Sequence, residues 1–120
     1  MRSLIFCLLF GVSAFGASSQ DLKIAEKIEG RWANKTTGNS NSFSLKDIKA
    51  DNGVFTATLT LWASNNCGIR DQKVTGVIKD GIATFNVDSR CTPDYVATLD
   101  FLKKSGSYRA GEYQGTYEFK

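Results

Sequence analysis

The stretch that decides the fold is VFTATLTLW, running from Val54 to Trp62. Phe55, Ala57, Leu59 and Leu61 alternate with Thr56, Thr58 and Thr60, so one face is apolar and the other carries small β-branched hydroxyls. Such alternation marks a half-buried strand, because successive side chains of an extended chain point to opposite faces. Working outward, KVTGVIK (73–79) and IATFNVD (82–88) flank Asp80-Gly81, a dipeptide that tolerates the two positive φ angles of a type I′ hairpin turn. With those two residues as the turn, paired residues carry numbers that sum to 161. Tyr95, Ala97, Leu99 and Phe101 share a face, as do Tyr113, Gly115, Tyr117 and Phe119. Asn52-Gly53 and Ser105-Gly106-Ser107 mark bends, Lys103-Lys104 reads as a charged turn, and the lone proline, Pro93, falls between strands.

The spacing predicts seven strands, at about 31–36, 42–48, 54–63, 72–79, 82–88, 95–103 and 108–119. Phe55, Leu59, Leu61, Phe85, Leu99, Phe101 and Tyr117 are the expected core, with the threonine row and Asp100 facing water. Upstream, Ser18-x-x-Asp21 suits the cap of a short helix that places Leu22, Ala25 and Ile28 on one face and stops at Gly30. The expected fold is all-β: an antiparallel meander of seven or eight strands forming a small barrel or sandwich, with a short N-terminal helix. Seven alternating strands would set the first and last parallel, whereas an ordinary closed meander takes an eighth.

Arg2 and the apolar run Leu4 to Phe15, followed by the small residues Gly16, Ala17, Ser18 and Ser19, read as a secretory signal peptide. The run is too short to span a hydrocarbon core of about 30 Å. Residues 1–16 are therefore read as a signal peptide, with Ser18 as the next cleavage candidate, and 17–120 as a single β-barrel-like domain. The chain is expected to be secreted or periplasmic, without stable membrane insertion after cleavage. The full chain of 120 residues has three cysteines. Cys7 lies in the leader, which leaves Cys67 and Cys91. In an oxidising compartment these two are most simply a disulfide, and their numbers sum to 158, nearly opposite each other just beyond the open end of the 80–81 hairpin. Asn34-Lys35-Thr36 is a glycosylation sequon, which matters only in a eukaryotic exporter.

Composition narrows the function classes. The chain has no histidine, which removes the usual catalytic triads and imidazole-ligated metal sites. Without Arg2 the mature chain has fourteen basic against twelve acidic side chains, a charge of +2 that is too mild for a nucleic-acid footprint. The acids are scattered singly, and no G-x-S-x-G, phosphate loop or metal-ligand spacing occurs. No enzyme activity, cofactor, metal or nucleic-acid partner is expected.

Glu29-Gly30-Arg31-Trp32-Ala33-Asn34 resembles the start of the first strand in calycin barrels. In lipocalins and avidins a G-x-W at this place plugs one end of an antiparallel barrel. The similarity to avidins continues through a Gly/Ser/Asn loop, Phe43-Ser-Leu and Gly53-Val-Phe-Thr, about thirty residues in all. The resemblance implies a barrel, a core-plug role for Trp32 and a ligand contact for Asn34, whose avidin counterpart helps to bind biotin. The later tryptophans that wall the avidin pocket have no counterpart, since the mature chain holds only Trp32 and Trp62. The resemblance thus speaks for the barrel and not for biotin.

Followed up and down, the meander puts tight bends near 49–53, 80–81 and 104–107 at one end. The longer connections 36–42, 64–71 and 88–94 fall at the other. Loops carried on a rigid sheet are where binding usually resides. The candidate ligand-binding residues are Asn34, Trp62, Asn65, Asn66, Arg70, Arg90 and Tyr95, with Cys67 and Cys91 pinning two of the loops. Amides beside aromatic rings suit a polar small molecule, a glycan or a secreted protein. The expected function is an exported binding barrel for a polar small molecule or glycan. The alternative is an inhibitor of a secreted hydrolase, a protease or lysozyme. Some bacterial inhibitors of secreted metalloproteases are calycin barrels with one disulfide, an architecture that this chain resembles. An inhibitor that inserts its N-terminus would lose activity when Asp21 to Glu29 is trimmed, whereas a barrel that holds its ligand in the interior would lose little.

Overall fold

A computed structural model describes residues 24–120. The expected signal peptide, Cys7 and the proposed helix cap at Ser18 lie outside the described residues. Eight strands follow in order: β1 (Ile28–Asn34), β2 (Ser40–Asp51), β3 (Val54–Leu61), β4 (Ile69–Lys79), β5 (Ile82–Val87), β6 (Tyr95–Asp100), β7 (Ser105–Ala110) and β8 (Tyr113–Phe119). Each pairs antiparallel with its neighbour in sequence, and β8 pairs antiparallel with β1, so the meander closes into a barrel. No helix occurs among the described residues. Ile28 to Gly30, expected at the end of a helix, instead begin β1, where Gly30 lies opposite Phe43 on one side and Phe119 on the other.

The eighth strand comes from dividing the expected 108–119 strand. Ala110 pairs with Tyr113 across Gly111-Glu112, and Gly111 (φ 61) stands at the first central position, which type II′ hairpins reserve for glycine. Ser105-Gly106-Ser107, expected as a bend, belongs to β7. The turn falls earlier because the Asp100 carboxylate accepts the N–H groups of Leu102 and Lys103 at 3.0 Å and ends β6 there. The Asn52-Gly53 and Asp80-Gly81 turns carry two positive φ angles each, as type I′ turns require. In the second hairpin Gly76 pairs with Phe85 and Lys79 with Ile82, the expected register.

Two bulges set which side chains face inward. In β2 the register shifts between Lys46 and Lys49 around Asp47 (φ 53), so Ile48 takes the inward position that Asp47 would otherwise occupy. In β4 the shift lies opposite Leu59 to Leu61, with Asp71 at φ 50, and it turns Ile69 inward and Arg70 out. Aspartate tolerates this left-handed conformation better than most residues, and a bulge of one residue reverses the alternation beyond it.

The core is packed shut at the tight-turn end. Phe55 stacks on Phe85 with ring centroids 5.4 Å apart, and Phe101 packs against Phe55 at 5.9 Å and Phe119 at 5.7 Å. Phe101 is half-buried and sits in the 101–104 turn instead of on a strand, so it folds over the barrel end as a lid on the phenylalanine cluster. The other six expected core residues are buried. Thr58 departs from the outward threonine row: it is 7% exposed, lying in register between Lys46 and Lys73, whose long stems shelter it. Glycine matters where strands approach most closely. A side chain at Gly76 would run into the Thr84 carbonyl and Phe85, and one at Gly30 into the Glu118 carbonyl and Phe119. The missing side chains let β4 and β1 coil tightly enough to close a small barrel.

Candidate functional site

The other end of the barrel is hollow. A layer of aromatic rings crosses the interior: Phe43 meets Tyr117 edge-on at 4.9 Å, Tyr117 meets Tyr108 at 5.5 Å, and Tyr108 stacks on Tyr95 at 5.0 Å. Beneath this layer lies the phenylalanine core. Above it a cavity of about 360 Å³ opens among the connections 35–39, 62–68 and 88–94. This is the volume class of small-ligand sites.

The cavity floor and walls are apolar or aromatic, from Trp32, Leu61, Ile69, Tyr95, Tyr108 and Tyr113. Its rim carries amides and hydroxyls, among them Asn34, Thr37, Asn39, Asn65, Ser89 and Thr92, with Cys67 and Cys91 at one edge. None of the described residues that line it is charged. The cysteines form the expected disulfide, with Cα atoms 5.6 Å apart, which ties the 62–68 and 88–94 loops together.

Trp32 is half-buried at the long-loop end. It packs against the core on one side, borders the cavity on the other and donates its indole Nε1–H to the Trp62 carbonyl at 2.9 Å. That bond occupies the indole N–H, so what Trp32 adds to the cavity lining is apolar. The Tyr95 and Tyr117 hydroxyls bond to each other below the floor. Burial raises both phenols above their ordinary range, and it raises Tyr108 as well, so all three are neutral.

Of the sequence-derived candidates, the cavity brings together Asn34, Asn65, Tyr95, Cys67 and Cys91. The other four lie outside it. Arg70 and Arg90 line a separate outer groove of about 310 Å³ with Gln72 and Asp88, because the Asp71 bulge turns Arg70 away from the interior. Trp62 is 48% exposed and borders a third, open groove of about 850 Å³ over β1, β2 and β8, and Asn66 is exposed on its loop. Sequence reading missed the rim residues Thr37, Ser89 and Thr92 and two aromatic ones, Tyr108 and Tyr113. On one continuous strand the two tyrosines fall on opposite faces, and only the turn at Gly111-Glu112 brings both rings inward. That glycine between two alternating segments was the available signal.

Among the described residues no three histidine, cysteine, aspartate or glutamate side chains come together, and no helix is long and apolar enough to cross a membrane. A scan against known protein families, a search of characterised proteins and a search of solved structures each find no match to this chain.

Proposed function

We propose that this protein is an exported, calycin-like, non-catalytic binding barrel that holds an uncharged polar small molecule, or the terminal residue of a glycan, in the cavity at its long-loop end. One observation carries the reading: a single barrel end is left hollow above a packed aromatic layer, with rings below, amides and hydroxyls around the rim, and no charge lining it. Flat aromatic faces with a ring of amides are suited to sugars and small heterocycles, which present apolar faces and polar edges. A disulfide across the rim fits an oxidising compartment.

Protein isolated from the exported fraction of the producing cell should begin near Ala17 or Ser19 and contain no free thiol. A glycan array and a small-molecule capture from the same fraction then test the site. Ser64→Trp places a bulky ring at the exposed rim and should abolish capture, while Lys104→Ala at the opposite end should leave it intact. Capture that survives Ser64→Trp would place binding elsewhere.

The inhibitor reading draws on a different observation. Trp62, Asn66, Arg70 and Arg90 are exposed on the outside of the same end, where a protein surface could reach them. A secreted protease or lysozyme bound there would be released by Trp62→Ala or Arg90→Ala, and Ser64→Trp would leave small-molecule capture and hydrolase binding separable.

A further inference from the structure

Resting on the cavity as the binding site, we infer that it selects neutral hydrogen-bond acceptors: a cyclic, carbonyl-bearing molecule in preference to an amine or a carboxylate. The loops around the cavity have already used several of their polar atoms. Asn34 Oδ1 accepts the N–H groups of Thr36 at 2.9 Å and Thr37 at 3.0 Å, and Asn65 Oδ1 accepts that of Cys67 at 3.0 Å. A backbone N–H can be accepted only by the amide oxygen, which fixes the orientation of both side chains. Their Nδ2 groups have no partner among the described residues. Ser89 Oγ likewise accepts the Cys91 N–H at 3.3 Å, and Thr37 Oγ1 that of Asn39 at 3.3 Å.

Asn34, Asn65, Ser89 and Thr37 therefore spend an acceptor on their own backbone, a habit of Asn, Ser and Thr in turns, whereas Thr92 donates its hydroxyl to Ser89 Oγ at 3.2 Å and keeps its oxygen as an acceptor. What remains among the lining amides is weighted to donors: the Nδ2 groups of Asn34 and Asn65 have no partner among the described residues, while the Tyr108 and Tyr113 hydroxyls can donate as well as accept. Asn39 keeps an amide oxygen free. A ligand rich in N–H donors would meet one free amide oxygen and the hydroxyl oxygens, against three free NH₂ groups on Asn34, Asn39 and Asn65, and a buried donor left unpaired is costly. No cation lines the cavity to compensate a carboxylate for lost water, and no anion to compensate an ammonium. The aromatic floor accepts a ring, and the donors above it accept that ring's carbonyl oxygen.

The test compares four probes of similar size by chemical-shift perturbation on the disulfide-bonded protein: N-methyl-2-piperidone, piperidine, cyclohexanol and cyclohexanecarboxylate. The lactam, an acceptor only, should bind about tenfold more tightly than the protonated amine or the carboxylate, with shifts at the Trp32 and Asn65 side-chain N–H signals. Asn65→Asp and Asn34→Asp keep the oxygen that each turn needs, so both should fold, and each replaces an NH₂ donor by a carboxylate oxygen. Each should lose about tenfold in lactam affinity and gain affinity for piperidinium. If all four rings bind alike, or if both variants keep the lactam preference, the donor selection is overturned while the cavity remains a binding site. If none of the probes perturbs the cavity signals, the binding reading fails with it.

Discussion

Tyr95 and Tyr117 share a hydroxyl–hydroxyl hydrogen bond in an interior where neither phenol can ionise cheaply, and that makes the barrel's stability sensitive to alkali. Their folded pKa values are raised above the ordinary 10.0, by burial first. Below pH 10 the folded and unfolded chains hold the same phenolic protons, and the full stability is present. Above it the unfolded chain releases its protons first, so stability falls as pH rises, by up to about 1.4 kcal/mol per pH unit for each phenol. Urea titrations should give a stability that is level to about pH 10 and declines beyond it, with a shallower decline in the Tyr95→Phe/Tyr117→Phe double variant. Tyr117→Phe alone should cost about 1–3 kcal/mol, because it leaves the Tyr95 hydroxyl buried and unpaired. An equal slope in the double variant would show that other groups govern the alkaline limb. At this scale the sequence was a mixed guide. The inward parity of Tyr95 and Tyr117 is plain from their apolar neighbours. Thr58 reads as solvent-facing because nothing in its own strand reveals the two lysines that flank it across the sheet.

The barrel's hydrogen-bonded ladder has one incomplete seam. Pairing between β4 and β5 stops at Gly76 and Phe85, although β4 runs back to Ile69 and β5 on to Val87. Above that point two devices bridge the strands. The Gln72 side chain imitates a strand, donating from Nε2 to the Asp88 carbonyl at 2.8 Å and accepting the Asp88 N–H on Oε1 at 2.7 Å. Beyond it stands the Cys67–Cys91 disulfide. Replacing both cysteines by serine should cost about 3–4 kcal/mol by loop-closure entropy, and Gln72→Ala about 1–2 kcal/mol. Because both span one seam, the combined loss should differ from the sum by more than about 0.5 kcal/mol. Amide exchange should quicken at residues 69–75 and 86–94 ahead of the rest of the sheet. Additive losses with uniform exchange would mean that the seam is not a unit. The hairpin register and the cysteine pairing were legible because Asp80-Gly81 carries its turn chemistry in the sequence. The Gly111 hairpin was harder to place, since Gly111-Glu112 lacks the Asn-Gly or Asp-Gly pair that marks the other two-residue turns. Both bulges turn on a single aspartate, which sequence alone does not separate from an ordinary exposed residue.

Across the whole molecule, seven of the eight strand pairs are local hairpins, and only β1 with β8 joins the two ends of the chain. The up-and-down order alone identifies the long-loop end, which is why half of the candidate site could be read from the sequence. The hollow itself depends on closure, which local patterns do not encode: Trp32 on β1 and Tyr113 on β8 border the same cavity only when those strands pair. Closure in turn depends on Gly30. Its neighbours across the closing ladder are Phe119 and, on the other side, Phe43, and a side chain there would strike the Glu118 carbonyl and the Phe119 backbone. Backbone cannot yield as the end of a flexible side chain can. Gly30→Ala should therefore cost about 3 kcal/mol or more, the upper range for overpacking, and it should act on the closing ladder while leaving the hairpins intact. An opened ladder presents the unpaired edges of β1 and β8, which pair readily with the same edges of another copy. Far-ultraviolet circular dichroism should keep its β signal while size-exclusion chromatography shows dimers or larger species. Gly53→Ala, strained only at a two-residue turn with φ 80, should cost about 1–2 kcal/mol and stay monomeric. A Gly30→Ala protein that remains monomeric and within about 1 kcal/mol of the parent would show that β1 can shift outward to accept a methyl group, and that the closing ladder is more compliant than its geometry implies.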